Sequence, residues 1–508
     1  MSGGTRLGLA LLGAALLQGV LGDVLFHGVP LGLNVPLWVA SFVVCLVLLL
    51  RVSNAPLGQG RRFMIAPLVV FASFVAWRDS PWLLGLDALA IAGAVAVGAL
   101  RSPAVRKPLA DYAAGLLAAG VSAVAGAFPL LVEDIRWREL GGTTRRAVAV
   151  ARGLALAAPL LALFGGLFVA ADVIFQRLLG SVVPSPLAPV RHALLVLLWA
   201  WVSAGLLRDL VAPRDSSAPA ARARPRLGIV EIGTALALLD LLFLAFVAVQ
   251  FRYLFGGRDL VESRAHLTYA EYARHGFFEL VAVAALVLPL LLLADWALDR
   301  KRRRDHVVFA ALAATLVLLL LAVVASALER LWIYQQEYGL TELRVYATAL
   351  VLWLGVVLVW FCATVLRRRR RSFGVGALVA GFAAIVAMNV LNPDALIART
   401  NVARPRVDVG YLARLSDDAT PTLLRALPSL SPPDRRRLTA ALLARSRSRD
   451  WRAWNLDRSR AAAALARTAP ARHNAADERR RRWRNAPPAG DESRSRFASV
   501  PGAPRRSG

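Results

Sequence analysis

The feature of this sequence that most constrains its fold is the recurrence of apolar windows about as long as a membrane-spanning helix. A helix needs roughly 20 apolar residues to cross the hydrocarbon core of a bilayer. The mean hydropathy of +0.54 over 508 residues agrees with many such crossings. Twelve windows approach the required length, at 7–26, 31–50, 63–77, 82–100, 109–131, 148–171, 190–211, 227–251, 276–298, 306–328, 343–366 and 373–391.

These windows predict an all-α fold, a polytopic transmembrane helix bundle. A membrane-spanning β-barrel would show alternating segments of about ten residues, whereas this sequence has long continuous apolar runs. Backbone polar groups in lipid must be paired internally, and a helix achieves this within one segment. We therefore predict about eleven or twelve spans within residues 1–392.

The distribution of Arg and Lys predicts the orientation, because cytoplasmic loops hold an excess of basic residues. The basic runs 300–304 and 367–371 are the clearest cytoplasmic loops. The window 109–131 separates two basic loops that both favour the cytoplasm, so we interpret it as a re-entrant or surface-lying segment. This interpretation predicts eleven crossings, a cytoplasmic N-terminus and an extracytoplasmic C-terminus.

The composition changes after residue 392, where Arg becomes the dominant polar residue. Thr420-Pro421 and the capping sequence Ser431-Pro432-Pro433-Asp434 predict short helices, so we expect a small extracytoplasmic helical appendage at 393–460. The tail 461–508 is predicted to be disordered. Outside the cell, anionic lipid or wall polymer and a membrane-protein partner are the partners available to it, and nucleic acid is not.

Polar residues other than the basic loops fall almost entirely on the predicted outer side, the side opposite the basic runs. Ionisable groups at a membrane boundary are costly unless they are paired or functional. We therefore predict an outer-face polar site for a ligand or partner. An alternative is that the same Glu, Arg and Tyr residues only hold the helix ends together. The candidate residues are Arg78, Asp79, Arg252, Tyr253, Glu271, Arg274, Glu279, Arg330, Tyr338, Glu342 and Arg344.

The sequence offers no recognised signature for a metal or cofactor, and we predict none. It has no paired His at helical ligand spacing, no nucleophile elbow and no phosphate-binding glycine loop. His266 and His275 flank Glu271, but lone histidines at a membrane interface are more often structural. Cys45 and Cys362 both lie inside apolar windows and are interpreted as small buried residues.

Several motifs stand out along the chain, namely Asp23-Val24-Leu25-Phe26, Pro30-Leu31-Gly32-Leu33-Asn34, 77–81, Tyr253-Leu254-Phe255-Gly256-Gly257, 269–279, 338–344 and Asn392-Pro393-Asp394. Through these motifs the sequence resembles a bacterial family of multi-pass membrane proteins, domain of unknown function four-one-seven-three, and its wider relatives. The resemblance covers roughly the first 460 residues and implies a location in the bacterial plasma membrane, with no reaction to carry over.

These observations favour binding, sensing or a scaffold role over catalysis. One alternative is a small-molecule or lipid transporter, for which the ionisable Asp240 and the prolines Pro159 and Pro289 inside apolar windows are the supporting features. Another is a polytopic transferase acting on lipid-linked substrates, in which Glu271 with Glu279 or Asp79 would supply an acid and a base.

Overall fold

The computed structural model describes residues 3–98, 109–135, 187–211, 227–254, 277–299, 303–445, 448 and 450–468. These residues form α-helices joined by short turns, with one isolated bridge between Leu227 and Leu298. The all-α helix bundle predicted from the sequence is therefore confirmed.

Among the described ranges before residue 392, the bundle contains eleven helices of 17 or more residues. They are α1 (Gly3–Phe26), α2 (Asn34–Val52), α3 (Gln59–Trp77), α4 (Pro81–Gly98), α5 (Leu109–Ala125), α6 (Leu187–Val211), α7 (Ile229–Leu254), α8 (Phe277–Ala297), α9 (Arg303–Tyr338), α10 (Glu342–Thr364) and α11 (Arg370–Leu391).

Ten of these helices are long and apolar enough to cross a membrane, and each coincides with one of the predicted windows. Together they make the chain a multi-pass membrane protein in contact with the lipid bilayer. The exception is α5, which has 17 residues and continues through short helical turns to Asp134. Asp134 pairs with Arg208 at the end of α6, with Nη2 and Oδ1 2.9 Å apart. The window 148–171 lies outside the described residues.

The helices form two groups, each with its own apolar core. The first core joins α1 to α4 and α6, with Leu46, Met64 and Leu207 fully buried. The second joins α7 to α11, with Phe309 and Phe361 fully buried. The groups meet where α11 packs against α3 and α4.

Small residues allow α1 and α6 to pack unusually closely. A Cβ at Gly19 would lie 2.4 Å from the Val196 carbonyl oxygen, and one at Gly22 would lie 2.4 Å from Cγ of Trp199. Close approach through glycine is a common way for helices to associate in lipid, where the hydrophobic effect does not drive them together. This contact fixes the start of α6 beside the end of α1.

Residues 393–468 form a further set of short helices, which we call the C-terminal layer. Its helices are α12 (Pro393–Val402), α13 (Val409–Leu412), α14 (Thr420–Ala426), α15 (Pro432–Ala444) and α16 (Leu456–Thr468). They share a core with Leu412, Leu423 and Leu438 fully buried. The predicted starts of α14 and α15 are confirmed, and Ser431 caps α15 by accepting the Asp434 N–H.

The layer extends to Thr468, past the predicted boundary of the helical appendage at residue 460. Ala461 is fully buried and Leu465 is 5% exposed, so the apolar face of α16 completes the core of the layer. Small Ala side chains and a single Leu are sufficient there because the layer and the bundle already supply the opposing surface. Residues 469–508 lie outside the described part of the chain.

Candidate functional site at the polar end

Among the described residues, three short loops lie at one end of the bundle, 27–33, 78–80 and 339–341, and we call this end the polar end. Each loop contacts the C-terminal layer. The Leu33 N–H donates to the Trp454 carbonyl at 2.8 Å, the Asp79 N–H to Asp418 at 2.8 Å, and the Leu340 N–H to Asn401 at 2.9 Å. The layer therefore covers the polar end, whereas Arg303, Arg304 and the run 367–371 lie at the opposite helix ends.

Arg78 is the central side chain of the middle loop and is 5% exposed. Its Nη1 lies 2.6 Å from Oδ2 of Asp457, which is 4% exposed, and its Nε donates to the Asn389 carbonyl at 2.7 Å. Its guanidinium also lies 4.3 Å above the Trp77 ring. A guanidinium removed from water needs such partners, so Arg78 connects α3, α11 and the C-terminal layer.

Asn455 strengthens the same junction. Its side-chain oxygen accepts the N–H groups of Asp457 and Arg458, both at 3.1 Å, and so caps the start of α16. Its amide nitrogen donates to the carbonyls of Val75 at 3.0 Å and Arg78 at 2.8 Å, which lie at the end of α3. The buried Asn455 side chain thus bonds carbonyl groups at the end of α3 and N–H groups at the start of α16.

Five aspartates lie close together between the middle loop and the layer. Burial raises the pKa of Asp418 well above its ordinary value, and nearby Asp457 adds to the effect. The group faces three buried or half-buried arginines, so like-charge repulsion favours protonation of part of it. Its ion pairs join Arg78 to Asp457, Arg458 to Asp79 at 2.9 Å and Arg445 to Asp417 at 2.9 Å, and its remaining members are Asp394 and Asp418.

Asp79 and Asp394 titrate in the same direction as Asp418. Burial raises the pKa of Asp79, although the guanidinium of Arg458 opposes the shift. Burial also raises the pKa of Asp394, which is fully buried and accepts the hydroxyl and the N–H of Ser416. The junction can therefore hold protons at a pH where exposed carboxyl groups are ionised.

The third loop is held mainly through its backbone. Gly339 has φ +78°, a conformation that favours glycine, and turns the chain between α9 and α10. Asn401 donates to and accepts from the backbone of Leu340, and the Tyr411 hydroxyl accepts the Glu342 N–H at 2.9 Å. Arg404 donates to the last carbonyls of α9, including that of Gln336 at 2.8 Å. The layer thus caps the end of α9.

Of the predicted site residues, Arg78 and Asp79 lie in the middle loop, and Glu342 and Arg344 lie at the start of α10, just after the third loop. The Arg344 guanidinium lies 4.2 Å above the Tyr334 ring and bonds the Gly339 carbonyl. Thr341 precedes α10, but its side chain makes no capping hydrogen bond. Arg330 is half-buried, two turns before Tyr338, which is 55% exposed.

The remaining predicted site residues are not placed. Arg252, Tyr253 and Glu279 lie in helices, but their side chains are outside the described part of the structure, and Glu271 and Arg274 are outside it entirely. Arg78 and Asp79 contact the C-terminal layer, and Arg344 contacts α9 and the third loop. Whether the predicted site binds a ligand or partner, or only holds the helix ends, stays a prediction.

Sequence reasoning missed the acidic partners of this site. Asp417, Asp418 and Asp457 were not selected because they lie in a segment dominated by Arg. The sequence signal for these partners was the presence of a few aspartates in a segment dominated by Arg. A carboxylate in such a segment has arginines nearby with which it can form an ion pair. A second missed pair lies inside the spans, where Asn389 donates to Asp87 at 2.9 Å and both residues are fully buried.

The comparisons with known proteins agree with this architecture. No curated protein and no solved structure matches the chain. Residues 65–426 match the family model described as Domain of unknown function (DUF4153). This range covers more than half of the chain and includes the middle and third loops together with much of the C-terminal layer. The protein therefore belongs to the DUF4153 family, as the expected resemblance to a membrane-protein family of unknown function indicated.

Proposed function

We propose that this protein is a membrane scaffold whose C-terminal layer binds anionic lipid headgroups at the polar end. The observation that carries this proposal is the separation of charge within the layer. Its aspartates at 394, 417, 418 and 457 are buried, whereas Asp408 is exposed and Asp434 and Asp450 are partly exposed among its described residues, so exposed arginines outnumber the accessible carboxylates there. The exposed arginines are Arg399, Arg406, Arg414, Arg425, Arg435, Arg436, Arg437, Arg460 and Arg467.

This surface has the chemistry that phosphate groups require. Arginine forms forked hydrogen bonds with phosphate oxygens, and each basic residue near an anionic membrane surface contributes about 1 kcal/mol to attraction. The layer sits on the ends of spanning helices, where the headgroups of the surrounding bilayer are the nearest anions. Trp451 and Trp454 are 61% and 45% exposed beside it, as expected for aromatic residues at a headgroup boundary.

The proposal includes an orientation in which the polar end is extracytoplasmic. Arg51 in the last turn of α2 and Arg61 and Arg62 in the first turn of α3 flank a loop at the opposite end of the bundle, as do 303–304 and 367–371. An excess of basic residues in short loops is typical of the cytoplasmic side. The arginines of the layer do not contradict this rule, because long segments after the last span are translocated largely regardless of charge.

The test compares the full chain in nanodiscs of phosphatidylcholine with the same chain in nanodiscs that also contain phosphatidylglycerol. Hydrogen exchange of residues 432–444 reports on α15. We expect phosphatidylglycerol to slow this exchange several-fold in the wild type, and we expect the double variant Arg436→Gln/Arg437→Gln to lose most of the effect. The control is Arg61→Gln/Arg62→Gln, which removes an adjacent pair at the opposite end.

Equal exchange in the two nanodiscs would overturn the proposal. So would protection that survives in the α15 variant, or protection that appears only with a soluble anionic polymer. The last result would assign the surface to a polymer such as that of the cell wall.

A transporter is the second candidate, because Asp87 and Asp240 lie well inside spanning helices. Asp87 pairs with Asn389, and Asp240 is 9% exposed in α7, with neither side-chain oxygen hydrogen-bonded within the described residues. Ionisable residues inside spans often mark ion or substrate paths. Proton flux into liposomes driven by an imposed potential, lost in Asp87→Asn or Asp240→Asn, would favour this function over the scaffold.

A further inference from the structure

Two histidines and one aspartate from distant parts of the sequence meet at the polar end, away from the five aspartates. Asp23 and His27 lie at the end of α1, and His192 lies near the start of α6. The His192 Nδ1 is 2.6 Å from Asp23 Oδ2, and the His27 Nδ1 is 3.7 Å from Asp23 Oδ1. One possible ligand atom from each residue lies within 4.8 Å of the other two.

Two of these atoms also lack other bonding. Asp23 Oδ1 and His27 Nδ1 are both buried and have no hydrogen-bond partner within the described structure, although they lie only 3.7 Å apart. A buried polar atom without a partner is costly, which makes this arrangement unusual unless something else bonds both atoms. Metal–ligand bonds of about 2.1 Å allow two ligand atoms to be up to about 4.2 Å apart, so one ion can bridge the 3.7 Å gap.

We propose that Asp23, His27 and His192 bind a divalent transition-metal ion of the zinc type. Imidazole and carboxylate are suitable ligands for Zn²⁺ and similar first-row ions, and three protein ligands leave a position for water. Asp23 is 8% exposed and the two histidines are half-buried, so the ligands are held while the open position reaches solvent. The ion would join α1 to α6, whose separation is set by Gly19 and Gly22.

Arg191 competes with the ion for His27. Its Nη2 lies 2.8 Å from His27 Nε2, and since Arg can only donate, this ring nitrogen accepts and the proton of the neutral ring sits on Nδ1. Metal binding at Nδ1 moves that proton to Nε2 and releases Arg191. The Arg191 side chain is exposed, so it can move away. Substitution of Arg191 should therefore strengthen metal binding.

The test uses the full chain, purified in detergent through a tag without histidine and treated with chelator. Titration with Zn²⁺ is followed by calorimetry, and Co²⁺ absorption reports the ligand field. We expect one ion per chain in the wild type, a Kd at least about tenfold higher in His27→Asn and in His192→Asn, and a lower Kd in Arg191→Ala. His306→Asn, at the opposite end of the bundle, is the matched histidine control and should bind like the wild type.

Co²⁺ spectra of the wild type keep the proposal testable if a histidine variant fails to fold. A Co²⁺ spectrum that lacks imidazole ligation, a stoichiometry well below one, or an unchanged Kd in folded His27→Asn and His192→Asn would overturn the proposal. A loss of binding in His306→Asn equal to that in the site variants would do the same.

Discussion

Removing one partner of the buried pair Arg78 and Asp457 should loosen the C-terminal layer. Breaking a buried ion pair generally costs about 3–5 kcal/mol, because one charge is left without compensation. In Asp457→Asn, Arg78 keeps its contacts with the Asn389 carbonyl and the Trp77 ring, so we expect the layer to lose about 3 kcal/mol of stability. In Arg78→Ala those contacts also disappear, so the cost should lie nearer the upper value.

The assay is hydrogen exchange of the backbone amides in residues 393–468. Since about 1.4 kcal/mol corresponds to a tenfold change in an equilibrium, Asp457→Asn should raise the open population of the layer about a hundredfold. The matched control is Arg425→Ala, an exposed arginine whose contacts are within α14, and it should change stability by less than about 0.5 kcal/mol. The double variant Arg78→Ala/Asp457→Asn should cost less than the sum of the single variants.

An Asp457→Asn variant whose layer exchanges no faster than that of the control would refute this reasoning. Additive effects of Arg78→Ala and Asp457→Asn would also refute it, because two residues that bond each other must be energetically coupled.

Three further predictions concern other contacts. The pKa values of Asp394 and Asp418 are raised in the folded protein, so their protonation stabilises the docked C-terminal layer at low pH. This contribution should be lost as the pH rises above the ordinary carboxyl pKa of 3.8. Melting temperatures measured across this pH range should therefore fall, and they should fall less in Asp418→Asn. Gly19→Ala should lower the melting temperature through a clash with the backbone of α6, whereas Gly13→Ala, with no atom within 4 Å, should not. Asn392→Ala should destabilise α12 by about 1–2 kcal/mol in denaturant titrations, because it removes the side chain that accepts the Ala395 N–H. Asn392→Gly should cost less, because residue 392 has φ +54°, a conformation that glycine adopts easily.

Much of the bundle could be predicted because membrane burial acts on local composition. Every helix that can span a membrane produces its own apolar run, so α2 or α10 is visible without knowledge of its neighbours. The loops 78–80 and 339–341 were also found, because polar residues stand out between such runs. These signals depend on sequence neighbours alone.

The partners of those residues could not be predicted. Arg78 meets Asp457 across 379 residues, and Asp23 meets His192 across 169, so no spacing rule connects them. The close packing that brings Asp23 to His192 depends on two glycines that look ordinary in an apolar helix. Likewise, burial of Asp418 depends on how the C-terminal layer docks, which follows from tertiary packing and not from its local pattern.

The most direct test of the account is cysteine labelling in intact cells, because the central claim places the loop 27–33 and the C-terminal layer on one outer side of the membrane. Cys45 and Cys362 are replaced, and single cysteines are introduced at Leu31, Ser429 or Asn54, all of which are exposed. We predict that a membrane-impermeant maleimide labels Leu31→Cys and Ser429→Cys and labels Asn54→Cys only after the membrane is opened. Labelling of Asn54→Cys in intact cells, or opposite behaviour of Leu31→Cys and Ser429→Cys, would contradict the account.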